Sequence, residues 1–227
     1  MLNNFIDILA VPNQVFTRLK EKSSWFTPWI VVALVVASIQ MGFFYLVDTE
    51  FLLDQLVEQT IQPGVSENDL RVTLQAQVEN KNIPAVSSSV GVIIGLLLIY
   101  AISAGYLCMV SKLTDNEITF KSWYSLIAWC SVPSIFTAIA AWIVILSSGG
   151  LIELEALTPL NLNYLIFRSE DDFSGFLSAF DLINIWIVVL TVLGYKSFTS
   201  CSSLQASAVV LSPYILILGI WALSIAL

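Results

Sequence analysis

The stretch 86–110, VSSSVGVIIGLLLIYAISAGYLCMV, contains no charged residue. A helix needs about 20 apolar residues to cross the hydrocarbon core of a bilayer, so this run is long enough to span it. Backbone donors and acceptors in lipid have to be paired within the chain, and an α-helix pairs its own. The stretch therefore predicts a transmembrane helix.

Four other segments meet or approach the same length. The five predicted spans are 26–47, 86–110, 123–146, 176–195 and 205–227. Charged residues make up only 11% of the chain, whereas a soluble domain carries roughly 25%. The alternation typical of membrane β-strands is absent from the sequence. We therefore expect one all-α membrane domain over 1–227, a bundle of five transmembrane helices.

Lysines and arginines outside the spans predict the orientation of the chain. With five spans, the N-terminal segment and the loops 111–122 and 196–204 share one side of the membrane. Their basic residues are Arg18, Lys20, Lys22, Lys112, Lys121 and Lys196. The opposite side has only Arg71, Lys81 and Arg168 in much longer loops. Cytoplasmic loops are enriched in Lys and Arg, so we expect the N-terminus in the cytoplasm and the C-terminus outside.

Acidic residues agree with this orientation. Those expected on the outer side are Asp48, Glu50, Asp54, Glu58, Glu67, Asp69, Glu79, Glu153, Glu155, Glu170, Asp171 and Asp172.

Two outer segments are long enough to form structure of their own. Residues 48–84 predict a helical hairpin broken at Pro63-Gly64, with Ser66 as an N-cap and Asp69 in the capping-box position. Leu70, Leu74 and Val78 recur every four residues and give the second helix an apolar stripe. The hairpin caps the bundle or presents a surface to a partner or ligand.

The second outer segment, 148–175, contains Gly149-Gly150, Leu151-Ile152 and Pro159. We expect it to dip into the membrane interface or to pack on the bundle.

The segment 13–24 predicts a short interfacial helix before the first span. Val15, Phe16 and Leu19 fall on one helical face, and the basic residues fall elsewhere. Such a helix lies in the plane of the interface, and tryptophan is enriched there. The expected membrane-interface anchors are Phe16, Arg18, Lys20, Lys22, Trp25 and Trp29.

Three polar side chains within the predicted spans form the candidate polar intramembrane site. Gln40 lies well inside the first span, and Asp181 lies near the start of the fourth, followed by Asn184 one turn later. Asp181 lines a polar pocket or cation contact, or it is an acid at a helix N-terminus favoured by the helix dipole. Gln40 and Asn184 line a polar path or bond a neighbouring helix.

Small residues and prolines predict helix contacts and bends. The second span carries Ser87, Gly91, Gly95, Ala101 and Gly105, a pattern that permits close helix packing within the chain or between copies of it. Pro133 and Pro213 lie inside the third and fifth spans, where each removes a backbone donor. Each proline acts as a hinge or produces a static bend.

The residue inventory argues against an enzyme. The chain has no His and only three cysteines, Cys108, Cys130 and Cys201, all expected to be packing residues. The sequence motifs of metalloproteases, P-loops, dinucleotide-binding folds and nucleophile elbows are absent. We expect no cofactor, no metal and no catalytic residue. Without a basic patch, we expect no nucleic acid as a partner.

Several short motifs, in order along the chain, resemble those of bacterial Yip1-domain membrane proteins. They are PNQVFTRLK at 12–20 with Ser24-Trp25 and Pro28, Gly105-Tyr106, FKS at 120–122, Val132-Pro133, DLINIW at 181–186 with Gly194, and Ala206 with Pro213. The resemblance implies a five-span bundle with its N-terminus in the cytosol, and it indicates the inner membrane of a bacterium.

Eukaryotic members of this family act in vesicle traffic and associate with Rab-type small GTPases, often as hetero-oligomers. They carry a long polar N-terminal region and a DLYGP-like stretch in the second span. This chain has about 25 residues before its first span and Ile99-Tyr100-Ala101 in the second. Both departures weigh against a GTPase-binding role, so the resemblance predicts architecture more than activity.

Two functions of different classes fit these features. The first is a non-enzymatic membrane protein that organises membrane components or partner proteins through helix contacts. The second is a small-solute or ion transporter, channel or lipid scramblase, with a polar path near Gln40 and Asp181. The expected partners are the lipid bilayer, a second copy of the chain and other membrane proteins.

Overall fold

The computed structural model describes residues 2–61, 66–169 and 173–226. Within these ranges the regular structure is helical, apart from an isolated bridge between Asn161 and Asp181. The predicted all-α fold class is therefore confirmed. The breaker pair Pro63-Gly64 and the acidic residues Glu170, Asp171 and Asp172 lie outside the described residues.

In the described part of the chain, five apolar helices are long enough to cross a membrane, as predicted, and the third is interrupted. The spans are α3 (Phe26–Leu46), α6 (Asn82–Leu113), α7 and α8 (Phe120–Cys130 and Ser134–Ser147), α10 (Leu182–Thr199) and α11 (Ser203–Ala226). The shorter helices are α1 (Leu2–Ala10), α2 (Pro12–Glu21), α4 (Thr49–Thr60), α5 (Glu67–Glu79) and α9 (Phe173–Ser178). A 3₁₀ turn (Leu154–Leu157) and a π turn (Asn163–Phe167) precede α9. We call the side of the bundle with α1 and α2 the N-terminal side, and the side with α4 and α5 the hairpin side.

The helix α2 packs into the N-terminal side of the bundle, against α7 and α10. Val15, Phe16 and Leu19 are at most 2% exposed and share a cluster with Trp123 and Trp129. The expectation that Phe16 anchors the chain in the membrane interface is therefore not met, because its ring is enclosed by protein. An amphipathic stripe shows which face is buried, but not whether lipid or protein covers it.

The hairpin of α4 and α5 covers the opposite side of the bundle. Leu52, Val57 and Val78 are buried in one cluster with Phe43 of α3 and Ile145 of α8. The Gln55 side chain bonds the backbone of the loop after α8, donating to the Ile152 carbonyl at 3.0 Å and accepting from Leu154 N–H at 3.1 Å. These contacts match the capping alternative for the hairpin.

The two helices of the hairpin begin differently. Asp48 caps α4 with its side chain, accepting backbone N–H bonds from Glu50 and Phe51, each at 3.0 Å. Ser66 precedes α5 as expected but makes no side-chain capping bond, so the predicted capping box does not form.

The two intrahelical prolines have different consequences. The third span breaks at 131–133, and the Trp129 carbonyl, which Pro133 leaves without its helical donor, accepts from Val132 N–H at 3.2 Å. The helix α11 instead continues through Pro213. The carbonyl freed there belongs to Val209, and it accepts a bond from the Tyr106 hydroxyl of α6 at 2.9 Å.

Close helix contacts involve glycines other than those the sequence motif indicates. An added Cβ would have nothing within 4 Å at Gly91 or Gly95, so their predicted packing against another helix is absent from the described residues. Farther along α6, an added Cβ at Gly105 would lie 3.9 Å from the Phe120 ring. In the same stripe, Ser87 is exposed and Ala101 is half-buried.

The tightest glycine contacts lie at Gly42 and Gly194. A Cβ at Gly42 would lie 2.3 Å from the Trp142 ring, and one at Gly194 would lie 2.4 Å from Leu126 Cδ1. These glycines bring α3 close to α8, and α10 close to α7.

We predict that Gly42→Ala lowers the free energy of unfolding by about 1–3 kcal/mol, because the Trp142 ring has to move. That ring is held by its indole N–H, which donates to Ser38 Oγ at 3.0 Å. The matched control Gly91→Ala meets no neighbour and should be neutral or gain about 0.5–1 kcal/mol from helix propensity. Unfolding by SDS titration in mixed micelles measures both, and equal effects would contradict the packing difference.

Candidate functional site

Asp181 caps the N-terminus of α10. Its Oδ1 accepts backbone N–H bonds from Ile183 at 2.8 Å and Asn184 at 3.1 Å. Aspartate is favoured at this position because it satisfies helix donors that lack partners and complements the helix dipole. Asp181 therefore precedes the fourth span, which starts at Leu182 and extends to Thr199 instead of covering 176–195.

The Asp181 carboxylate is buried. The residue is 5% exposed, and it is the only buried Asp, Glu, Lys or Arg among the described residues. Its Oδ2 has no hydrogen-bond partner among the described residues. Buried polar atoms are nearly always paired, so one carboxylate oxygen is left available to a donor.

The isolated bridge brings Asn161 beside Asp181. Leu162 N–H donates to the Phe180 carbonyl at 2.9 Å, and Leu182 N–H donates to the Leu160 carbonyl at 3.1 Å. This pattern makes Asn161 and Asp181 a non-hydrogen-bonded pair, whose side chains are close together.

The Asn161 amide already has partners of its own. Its Nδ2 donates to the Thr158 carbonyl at 2.6 Å and to Thr158 Oγ1 at 3.1 Å, and its Oδ1 accepts from Tyr164 N–H at 2.8 Å. Because its amide hydrogens are directed at Thr158, Asn161 does not donate a hydrogen bond to Asp181 Oδ2.

A second buried asparagine closes the turn that follows. Asn163 is 0% exposed, and its Nδ2 donates to the Ser169 carbonyl at 3.1 Å while its Oδ1 accepts from Ser169 N–H at 3.0 Å. Arg168 adopts the left-handed conformation at φ 50°, with its guanidinium 4.3 Å from the centre of the Tyr164 ring. Neither asparagine was among the predicted site residues, although the alternation of Leu and Asn at 160–163 was an available signal.

The other two residues of the candidate polar site do not join Asp181. The Asn184 side chain is exposed, and that of Gln40 is half-buried without a hydrogen-bond partner among the described residues. Gln40 belongs to α3, which packs mainly on α6, α7 and α8, whereas α10 packs on α2, α7, α8 and α11.

Two cavities lie away from all three of these residues. One, of 760 Å³, is lined by Lys112, Phe120 and the loop between α6 and α7. The other, of 240 Å³, lies between the end of α8 and the loop that carries Tyr164 and Arg168. Neither cavity connects Gln40 with Asp181.

The remaining predicted anchors lie on the N-terminal side. Arg18 pairs with Asp7 of α1, and Lys20 and Lys22 are exposed. Trp25 is half-buried, with its ring 5.2 Å from Tyr124, and Trp29 is 8% exposed.

The group that remains free to bind at the Asp181 site is one acceptor oxygen, Oδ2. Within the described residues, no group of three or more His, Cys, Asp or Glu side chains could hold a metal ion. Cys108 and Cys130 are buried free thiols, and Cys201 is partly exposed. A buried carboxylate with one free oxygen can accept a hydrogen bond or hold a compact cation.

We predict that Asp181→Ala lowers the free energy of unfolding by about 1 kcal/mol, because both capping bonds are lost. Asp181→Asn should retain the wild-type value or exceed it, because the amide oxygen can still accept both bonds and the buried charge is removed. SDS-titrated unfolding measures both variants. An Asn variant as unstable as the Ala variant would show that Oδ2 makes an interaction which an amide cannot replace.

Comparison with known proteins identifies the family. The Yip1 domain matches residues 6–225, nearly the whole chain. No curated protein and no solved structure matches this chain. The resemblance indicated by the sequence motifs is confirmed, and the chain belongs to the Yip1 family of multi-pass membrane proteins.

Proposed function

We propose that this protein is a non-enzymatic organiser of membrane components, acting through lateral contacts of its helices with a second copy or with other membrane proteins. The observation that carries this proposal is the outward-facing surface at Gly91 and Gly95 of α6, where both residues are exposed and an added Cβ would meet no other described helix within 4 Å. Glycines on an outer helix face allow the backbone of another helix to approach closely.

The scattered polar residues support organisation over transport. A transport path requires polar side chains that converge on one hydrated groove. Gln40 is half-buried on α3, Asn184 is exposed on α10, and neither cavity is lined by them or by Asp181.

We further propose that the N-terminal side faces the cytoplasm of a bacterium and that the hairpin side faces outward from its inner membrane. Exposed lysines support this orientation. Lys20, Lys22, Lys112, Lys121 and Lys196 are all exposed on the N-terminal side, as the enrichment of cytoplasmic loops in basic residues requires.

Two observations favour transport as the second candidate. Asp181 keeps a buried oxygen without a partner at the hairpin side of the bundle. The broken third span adds a non-helical segment inside the bundle, of the kind that lines ion paths in transporters.

We predict that Gly91→Leu, Gly95→Leu and their double variant reduce energy transfer between labelled copies in vesicles several-fold, because a leucine holds the facing helix away. Gly219→Leu on α11 is the matched control, since an added Cβ there also meets nothing within 4 Å. Energy transfer that is unchanged in all three α6 variants would argue against this surface as the contact.

The same vesicles distinguish the two functions. An organiser should show neither ion flux nor lipid flip above that of empty vesicles. Flux in the wild type that disappears in Asp181→Asn would contradict the organising role and support transport.

A further inference from the structure

The loop between the third and fourth spans presents consecutive apolar side chains to its surroundings. Leu165, Ile166 and Phe167 are 46%, 65% and 57% exposed. We call residues 163–169 and 173–178 the collar. Adjacent exposed apolar side chains of this size are uncommon on a surface that faces water, and they mark a contact with lipid or protein.

The collar is held in this orientation by buried hydrogen bonds. The π turn Asn163–Phe167 starts beside the bridge, where Asn161 Oδ1 accepts from Tyr164 N–H at 2.8 Å. It ends where Asn163 bonds both backbone groups of Ser169, at 3.0 and 3.1 Å. Because asparagine bonds fix the backbone at both ends, the turn as a whole cannot rotate its apolar side chains inward without breaking them.

Contacts with α11 place the collar beside the end of that helix. The Phe176 ring of α9 lies 5.8 Å from the ring of Trp221, and a Cβ at Gly175 would lie 3.4 Å from that tryptophan. Trp221 belongs to the last two turns of α11, where Ile220 and Leu223 are at least 60% exposed. These turns are apolar and face outward, so the collar lies beside a part of the bundle that lipid surrounds.

The length of the fourth span indicates the same depth. The helix α10 has 18 residues and is therefore about 27 Å long, while α11 has 24 residues and is about 36 Å long. A hydrocarbon core is about 30 Å thick, so α10 alone is short for it. The bridge between Asn161 and Asp181 joins the segment just before the collar to the start of α10.

We propose that the collar is an interfacial element of the hairpin-side leaflet, with Leu165, Ile166 and Phe167 among the acyl chains of its lipids. In this position the collar completes the apolar length of the fourth span and separates the Asp181 carboxylate from water. The occupant of this surface is lipid, because the collar lies level with the lipid-facing end of α11. The proposal does not depend on whether the protein organises or transports.

The test is a label-depth measurement on the full chain in vesicles. Ile166→Cys, and Phe167→Cys as a second position, carry a bimane label in a variant whose cysteines at 108, 130 and 201 are replaced by alanine. Val72→Cys on α5, 71% exposed, is the aqueous control, and Leu216→Cys on α11, 64% exposed, is the lipid control. Brominated phosphatidylcholine reports lipid contact, and iodide reports water contact.

We expect bromolipid to quench the labels at 166 and 167 several-fold more than the label at 72, and to a similar extent as the label at 216. Iodide should give the reverse order. Quenching of the collar labels by iodide as strong as that at 72 would overturn the proposal, because the collar would then face water. Protection from both quenchers, with cross-links between copies at 166, would also overturn it by showing that protein covers the surface.

Discussion

Two carbonyl oxygens, those of Trp129 and Val209, lose their helical donors to prolines inside apolar spans, where water cannot replace the donor. The protein satisfies them in different ways. Val132 N–H serves the Trp129 carbonyl within a tight turn, and the span breaks there. Tyr106 of a neighbouring helix and Ser212 of α11 itself both donate to the Val209 carbonyl, and α11 stays continuous. The need to pair backbone groups in lipid thus decides where a helix breaks and where two helices are bonded together.

The same need explains the pairing of two indole donors on the N-terminal side, whereas the buried Trp29 indole N–H has no hydrogen-bond partner among the described residues. Trp129 N–H donates to the Ser24 carbonyl at 2.8 Å, and Trp123 N–H donates to Ser111 Oγ at 3.1 Å. A buried tryptophan combines a large apolar body with one donor that requires a partner. These bonds connect the third span to the segment before α3 and to the end of α6. The first bond joins residues that are 105 positions apart in the sequence, whereas the second joins two consecutive helices across a short loop.

The spans could be predicted because apolar length is a property of the sequence, whereas contacts depend on which faces meet. Gly91 and Gly95 form a recognisable spacing but face outward, while Gly42 has no motif and touches Trp142. Residues 176–180 are mostly apolar, so the predicted fourth span began at 176. In the structure Asp181 caps α10, which begins at Leu182. Phe16 fitted an interfacial pattern, but protein covers its ring. Asn161 and Asn163 were not predicted, because most of their partners are backbone groups of the same loop and the only sequence signal was the short Leu–Asn alternation at 160–163.

Helix capping explains only one of the two carboxylate oxygens of Asp181. The cap uses Oδ1 alone, and the oxygen of an asparagine could accept the same two bonds. Leaving a buried polar atom unpaired costs about 1–3 kcal/mol, and more for a charged group. The bridge partner Asn161 directs its amide hydrogens at Thr158, so the structure around the site does not offset this cost. The second oxygen, like the buried indole N–H of Trp29, is therefore a feature that helix packing leaves unexplained, and a donor from outside the described chain would account for it.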